Sequence, residues 1–134
     1  MPEHQLAGVL DTSVYLDLDV LDPDSLPEVP DLTAVTLAEL HQGVALASDE
    51  RTRAIRLEQL AAAVRDFEPL PFDGAAAARY GTLVGLVHAA GRSHRPRRMD
   101  LMIAATASAR RLPLFTRNPD DFRGVEDAVT VVAV

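Results

Sequence analysis

The chain has 134 residues, of which 48% are hydrophobic and 25% charged, with a formal net charge of −7. That length and balance suit one globular domain spanning 1–134 and exclude a disordered chain. The absence of cysteine excludes a disulfide framework and a thiolate zinc site. No apolar run approaches a membrane span. Met1-Pro2-Glu3-His4-Gln5 lacks the basic region and long apolar core of a secretion signal. A cytoplasmic chain with no membrane contact is therefore expected. The acidic balance argues against nucleic acid binding over the whole surface. It allows a cleft where clustered acids hold divalent cations beside local basic contacts.

Leu6-Ala7-Gly8-Val9-Leu10 reads as a short strand buried on both faces. Asp11 stands where it ends, and Thr12-Ser13 are placed to cap a helix through Val14-Tyr15-Leu16. The carboxyl ends of strands are where open α/β sheets bind ligands, so Asp11 is either placed for chemistry or simply a strand-end cap. From Asp17 to Asp31, acids alternate with Pro23, Pro27 and Pro30. The turn glycine and offset glutamate of a calcium loop are missing, and a solvated, proline-stiffened loop is expected.

Thr33-Ala34-Val35-Thr36 is the expected second strand, followed by helix from Leu37 to about Ala47. Glu39 lies three residues after Thr36, the spacing of a capping box. Asp49 to Val64 reads as a third helical segment whose apolar stripe is Ala54, Leu57, Leu60, Ala61 and Val64. Glu68-Pro69-Leu70-Pro71-Phe72 suggests a short edge strand. Asp73 then caps an alanine-rich helix that runs to about Ala90 and stops at Gly91.

Arg92, Arg95, Arg97 and Arg98, with His94, concentrate positive charge within seven positions of an acidic chain. That density favours phosphate contact over a bland polar loop. Met99 to Ala109 is the next helix, uncharged from Leu101 to Ala109, with Asp100 at its start on the face of Ile103, Ala104 and Ala107. An acid in a first turn is favoured by the helix dipole, but one aimed into so apolar a packing face is costly without a partner. Leu112 to Thr116 forms a strand, Arg117 to Phe122 breaks it with Asn118-Pro119, and Val129 to Val134 closes the chain as a strand. Strands alternating with helices imply an α/β/α sandwich with a four- to five-stranded, mainly parallel sheet.

Asp11, Glu39 and Asp121 each follow a strand, and Asp100 can reach the same carboxyl edge. Carboxylates gathered this way repel unless cations lie among them. An all-oxygen donor set suits Mg²⁺ or Mn²⁺, and such sites cleave phosphodiesters, often with two ions about 4 Å apart.

The ordered set Asp11-Thr12-Ser13, Thr36-Leu37-Ala38-Glu39-Leu40, Asp100 with Ile103-Ala104-Ala105-Thr106-Ala107, and Thr116-Arg117-Asn118-Pro119-Asp120-Asp121-Phe122 resembles a PIN domain. More narrowly it resembles a VapC-type toxin of a bacterial toxin–antitoxin pair, over nearly the whole chain. The resemblance implies a metal-dependent ribonuclease that uses Mg²⁺ (Mn²⁺ also suits) and is restrained by an antitoxin protein, as a homodimer. It carries Asp11, Glu39 and Asp100 over as core acids. Asp121 is the fourth, or Asn118 occupies that position, since some relatives carry an acid there. Thr12, Ser13, Thr116 and Asn118 would support the acids, and Arg92, Arg95, Arg97 and Arg98 would contact RNA. Where many relatives have a Gly/Pro-rich lead into the third acid, this chain has Arg95-Pro96-Arg97-Arg98.

Other readings are a silent PIN-like partner-binding domain, against which the intact acids argue, and a PIN nuclease of RNA processing with no antitoxin. A haloacid-dehalogenase-like phosphatase also has an Asp after its first strand. It needs a second Asp two residues on, where Ser13 stands.

Overall fold

A computed structural model describes residues 6–134; the stretch Met1 to Gln5, read above as no secretion signal, lies outside the described residues. Four strands, β1 (Ala7–Leu10), β2 (Val29–Asp31), β3 (Leu114–Thr116) and β4 (Val131–Ala133), form a sheet in the order β2-β1-β3-β4. Every pairing is parallel, with Val9 beside Asp31 and Leu114, and Phe115 beside Val132. Five α-helices cover it: α1 (Thr12–Leu16), α2 (Ala34–Ala45), α3 (Glu50–Asp66), α4 (Gly74–Ala89) and α5 (Arg98–Ala109). The three-layer α/β/α arrangement expected from the sequence is present.

Successive residues of the central strands feed opposite cores, as the pleat requires. Val9 and Leu114 pack with Leu83 and Val87 of α4 and Leu101, Ile103 and Ala104 of α5. Leu10 and Phe115 pack with Val14 and Tyr15 of α1, Leu40 of α2 and Leu60 and Ala63 of α3. Burying both faces makes the first strand a continuous apolar run. A Cβ at Gly8 would collide with the Phe115 ring, so glycine is required there.

Several local expectations are corrected. The second strand is not Thr33 to Thr36: β2 lies earlier, inside the acidic proline-rich segment, whose remainder forms short 3₁₀ turns at Leu18–Val20 and Pro23–Ser25. Pro30 is tolerated because β2 is an edge strand. Thr33 instead caps α2, its hydroxyl accepting from the Thr36 amide at 3.1 Å, so the Thr36–Glu39 capping box does not form. At α1 the cap is Asp11 rather than Thr12 or Ser13. Glu68 to Phe72 makes a single bridge, Leu70 to Thr33, because prolines flank Leu70 and remove the donors a ladder needs. In α3 the packed residues are Leu60 and Ala63, while Ile55, Leu57 and Val64 are exposed.

α4 ends as expected, with Gly91 at φ +75° and the Arg92 amide reaching back to the Val87 carbonyl at 3.0 Å. α5 ends in the same way through Arg111 at φ +56°, which carries the modest strain of a left-handed non-glycine residue. No helix among the described residues is long and apolar enough to cross a membrane.

Candidate active site

Asp11 is almost fully buried at the carboxyl end of β1. Its Oδ1 accepts from Ser13 Oγ at 2.6 Å and from the Val14 amide at 3.0 Å. One oxygen thus caps α1, and no hydrogen bond reaches Oδ2 among the described residues. Asp11 therefore ends β1 and caps α1, the structural one of the two readings the sequence left open.

Glu39 lies one turn into α2, half-buried, and its Oε1 accepts from Thr12 Oγ1 at 2.7 Å. The Thr12 and Thr36 hydroxyls are 3.1 Å apart. Thr12 has one proton, which the carboxylate takes, so the fully buried Thr36 donates to Thr12. Burial pushes the Glu39 carboxyl up, the Thr12 hydroxyl opposes that shift, and the Asp11 charge adds to it.

Asp100 occupies the first turn of α5, the helix whose Leu101, Ile103, Ala104, Ala105 and Ala107 are fully buried. No hydrogen-bond donor meets its carboxylate among the described residues. Burial first, then the charges of Glu39, Asp121 and Asp11, raise its pKa from 3.8 to about 6, while Arg97 pulls it down. The four acids named from the sequence therefore share one electrostatic neighbourhood at the carboxyl edge of the sheet. Among the described residues, no three acidic or histidine side chains stand close enough together to enclose a cation as they are oriented. Asp11 and Glu39 each commit one oxygen, Oδ1 and Oε1, to hydroxyl or amide donors. Charge reaches further than coordination. By donor chemistry the set is all oxygen, which fits a hard divalent cation.

Asp121 sits in a 3₁₀ turn, Pro119–Phe122, and its amide donates to the Asn118 carbonyl at 3.0 Å. Its neighbour Asp120 is turned away to Arg123 at 2.9 Å. Thr116, fully buried at the end of β3, accepts from the Asn118 amide at 3.0 Å and so fixes this turn rather than touching a carboxylate. The Asn118 side chain is exposed.

The basic segment divides. Arg92 Nη1 donates to the carbonyls of Asp120 and Arg123, at 3.0 and 2.9 Å, and so fastens the loop beneath Asp121. Arg97 Nη1 donates to the Ser93 carbonyl at 3.0 Å, while its buried Nε has no partner among the described residues. Arg95 and Arg98 are exposed.

Sequence reasoning gave Thr36 only a capping role and passed over Arg117. The Arg117 amide donates to Ser13 Oγ at 3.4 Å, and its Nη1 meets Asp17 Oδ2 at 2.6 Å. A hint lay in the strand pattern: two strand ends that pair in parallel bring the residues just beyond them together. A groove of about 480 Å³ opens beside Thr12 and Glu39, running past Leu16, Leu46 and Arg56.

A family model described as PIN domain matches residues 9–128. The chain is 42% identical over 128 residues to Ribonuclease VapC5 of Mycobacterium tuberculosis (strain ATCC 25618 / H37Rv), covering 93% of this chain and 92% of that protein. It is 36% identical over 116 residues to Ribonuclease VapC4 of the same organism, covering 84% and 87%. Among solved structures, VapBC-5 from Mycobacterium tuberculosis, a member of the VapBC family of toxin–antitoxin systems, superposes with a TM-score of 0.86 at 40% identity. That match covers 96% of this chain and 99% of the other. FitAcB from Neisseria gonorrhoeae superposes with a TM-score of 0.72 at 31% identity, covering 92% and 94%.

Proposed function

The chain belongs to the PIN-domain family, and from that premise we propose that it is the toxin of a toxin–antitoxin pair, an endoribonuclease that hydrolyses RNA phosphodiester bonds at its acidic cleft. The reading treats residues 1–134 as one domain. One observation carries the chemistry: Asp100, half-buried at the start of α5, is raised to about 6 with three further carboxylates contributing to the shift. An arrangement that makes ionisation costly is paid back when a cation binds.

Asp11, Glu39, Asp100 and Asp121 would hold Mg²⁺, with Mn²⁺ the alternative. When bound, such an ion supplies Lewis-acid polarisation of the phosphodiester and a water of lowered pKa. The chain's own groups do the positioning. Ser13 and the Val14 amide fix Asp11 through Oδ1, and Oδ2 has no hydrogen bond among the described residues. Thr12 and Thr36 orient Glu39. Thr116 sets the Asn118 turn, with Asp121 rather than Asn118 as fourth acid because Asp121 acts on Asp100. Arg95 and Arg98, exposed beside the third acid, are the members of the basic segment best placed for RNA, with the Nε of Arg97 behind them.

The partner is an antitoxin whose tail enters the cleft, where an arginine could pair with the carboxylates. The groove beside Glu39, with Leu16 and Leu46 exposed along it, supports an apolar stretch of partner chain there. A homodimer completes the reading. The test is cleavage of RNA with Mg²⁺ by the wild type and by Asp100→Asn. Loss of cleavage in a folded variant is expected; a folded Asp100→Asn that cuts at the normal rate would sink the metal site.

A further inference from the structure

We propose that Arg117 is a phosphate-binding residue of this cleft, held away from RNA in the free chain by Asp17. The inference rests on the ribonuclease reading above and goes beyond its residue set.

The backbone places Arg117 at the acids. It follows Thr116, the last residue of β3, which pairs in parallel with β1. The Asp11 amide donates to the Phe115 carbonyl at 3.0 Å. The Arg117 amide donates to Ser13 Oγ at 3.4 Å, and the same hydroxyl donates to Asp11 Oδ1 at 2.6 Å. Arg117 is thus two hydrogen bonds from the Asp11 carboxylate through its main chain, so its position is set by the sheet and not by a flexible loop.

The side chain is engaged weakly. Nη1 meets Asp17 Oδ2 at 2.6 Å, with the two side chains 40% and 44% exposed. No partner holds Nε or Nη2 among the described residues. An exposed ion pair of this kind contributes little against solvent. A phosphate offers a guanidinium two parallel charge-assisted bonds, where Asp17 receives one. Exchange of Asp17 for phosphate is therefore favourable once a phosphodiester strand is near.

The cleft needs such a group. RNA must bring its negative charge against several carboxylates, and Arg117 adds to the exposed Arg95 and Arg98 a cation whose main chain is tied to Asp11 itself. Arg92 gives Nη1 to the Asp120 and Arg123 carbonyls and Arg97 gives Nη1 to the Ser93 carbonyl, so each is tethered to main-chain oxygens of the fold. Arg117 is anchored, solvent-facing and loosely paired. Asp17 then acts as a local competitor: it keeps the guanidinium from folding onto Asp11 and yields it to substrate.

The experiment measures KM and kcat with Mg²⁺ on a short single-stranded RNA containing a site the wild type cuts, across a series of salt concentrations. Arg117→Gln should raise KM about tenfold with kcat changed less than about twofold. The salt dependence of binding should flatten by about 0.7, the contribution of one phosphate contact on a single strand. Asp17→Asn should do the opposite, lowering KM about two- to fivefold. In the double variant that gain should vanish. Arg117→Lys should recover the salt slope but only part of the affinity.

Thermal melting separates unfolding from lost contact, and Asp17→Asn tests the idea through a gain that misfolding cannot mimic. If Asp17→Asn leaves KM unchanged or raises it, the proposal is overturned. It is equally overturned if folded Arg117→Gln keeps the wild-type KM and salt slope. In both cases the wild type still cuts RNA and the ribonuclease reading survives. A wild type that does not cut RNA in Mg²⁺ removes that reading and this one with it.

Discussion

At the end of β1, Asp11 gives one carboxylate oxygen to two donors, Ser13 Oγ and the Val14 amide. In the first turn of α5, Asp100 has no such donor among the described residues and feels the charges of Glu39, Asp121 and Asp11. Both acids belong to the same cleft, Asp11 almost fully buried and Asp100 half-buried. The first is woven into the fold as a helix cap; the second is held there at a cost. Burial alone does not mark an acid as strained. What matters is whether the protein meets its charge or leaves it to something from outside.

The comparison breaks most visibly in a pair of variants. Asp11→Asn and Asp100→Asn should each reduce RNA cleavage about a thousandfold or more, and the double variant should lose little further, because groups acting as a unit fail together. Stability should move in opposite directions in Asp100→Asn and Asp11→Ala. The rise of Asp100 from 3.8 to about 6 corresponds to about 3 kcal/mol, and partial exposure brings the expected gain of Asp100→Asn down to about 1–2 kcal/mol. Asp11→Ala removes the cap of α1 and should cost about 1–2 kcal/mol. Melting in metal-free buffer at neutral pH checks both signs; equal shifts in one direction would erase the contrast.

Cation binding should reverse the asymmetry. Mg²⁺ at a hundredfold over its dissociation constant should stabilise the wild type by about 2.7 kcal/mol. Asp100→Asn should show much less of this gain, since the charge that repels its neighbours is also one the cation uses. Melting against Mg²⁺ concentration reads the effect, and an equal gain in the variant would remove Asp100 from the cation's ligands.

The pH dependence follows from the same group. With a folded pKa of about 6 against 3.8, Asp100 holds its proton in the folded chain where the unfolded chain has released it. Its contribution to stability therefore falls as pH rises through about 4 to 6 and stays low above that window. The wild type minus Asp100→Asn difference should be near zero at pH 3 and grow by about 1–2 kcal/mol by pH 7. Using the difference cancels groups shifted the other way, such as Asp49 and Asp66, whose hydrogen bonds lower them.

What could be read from the sequence follows the same division. The positions of Asp11 and Asp100 were legible because an acid closing a buried strand, or opening an uncharged helix, stands out against apolar neighbours. The alternation of elements gave the three-layer fold for the same reason. Glu39 was placed near the edge but for the wrong local reason. Thr33 and Thr36 both offer a cap, and only the packed structure chooses Thr33, freeing Glu39 for Thr12. β2 was hidden because Val29-Pro30-Asp31 lacks a strand's pattern and owes its state to pairing with β1. The basic run looked uniform, yet Arg92 belongs to carbonyls 28 and 31 residues away. Partners that distant leave no trace in local composition.

The smallest expected effect tests how Asp11 is supported. Ser13 Oγ donates to Asp11 Oδ1 and accepts from the Arg117 amide, so one hydroxyl ties β1's end to β3's. Ser13→Ala removes both bonds but leaves the Val14 amide on Asp11, and should cost about 0.5–1.5 kcal/mol. Because Ser13 is half-buried, water can replace part of what is lost, which puts the expectation toward the lower end. Cleavage should fall modestly, by about three- to tenfold, since Asp11 keeps its charge and one of its two donors. Metal-free melting and RNA turnover read the two effects separately. If Ser13→Ala matches the wild type in both, the Val14 amide alone holds Asp11, and the hydroxyl is a passenger in the turn.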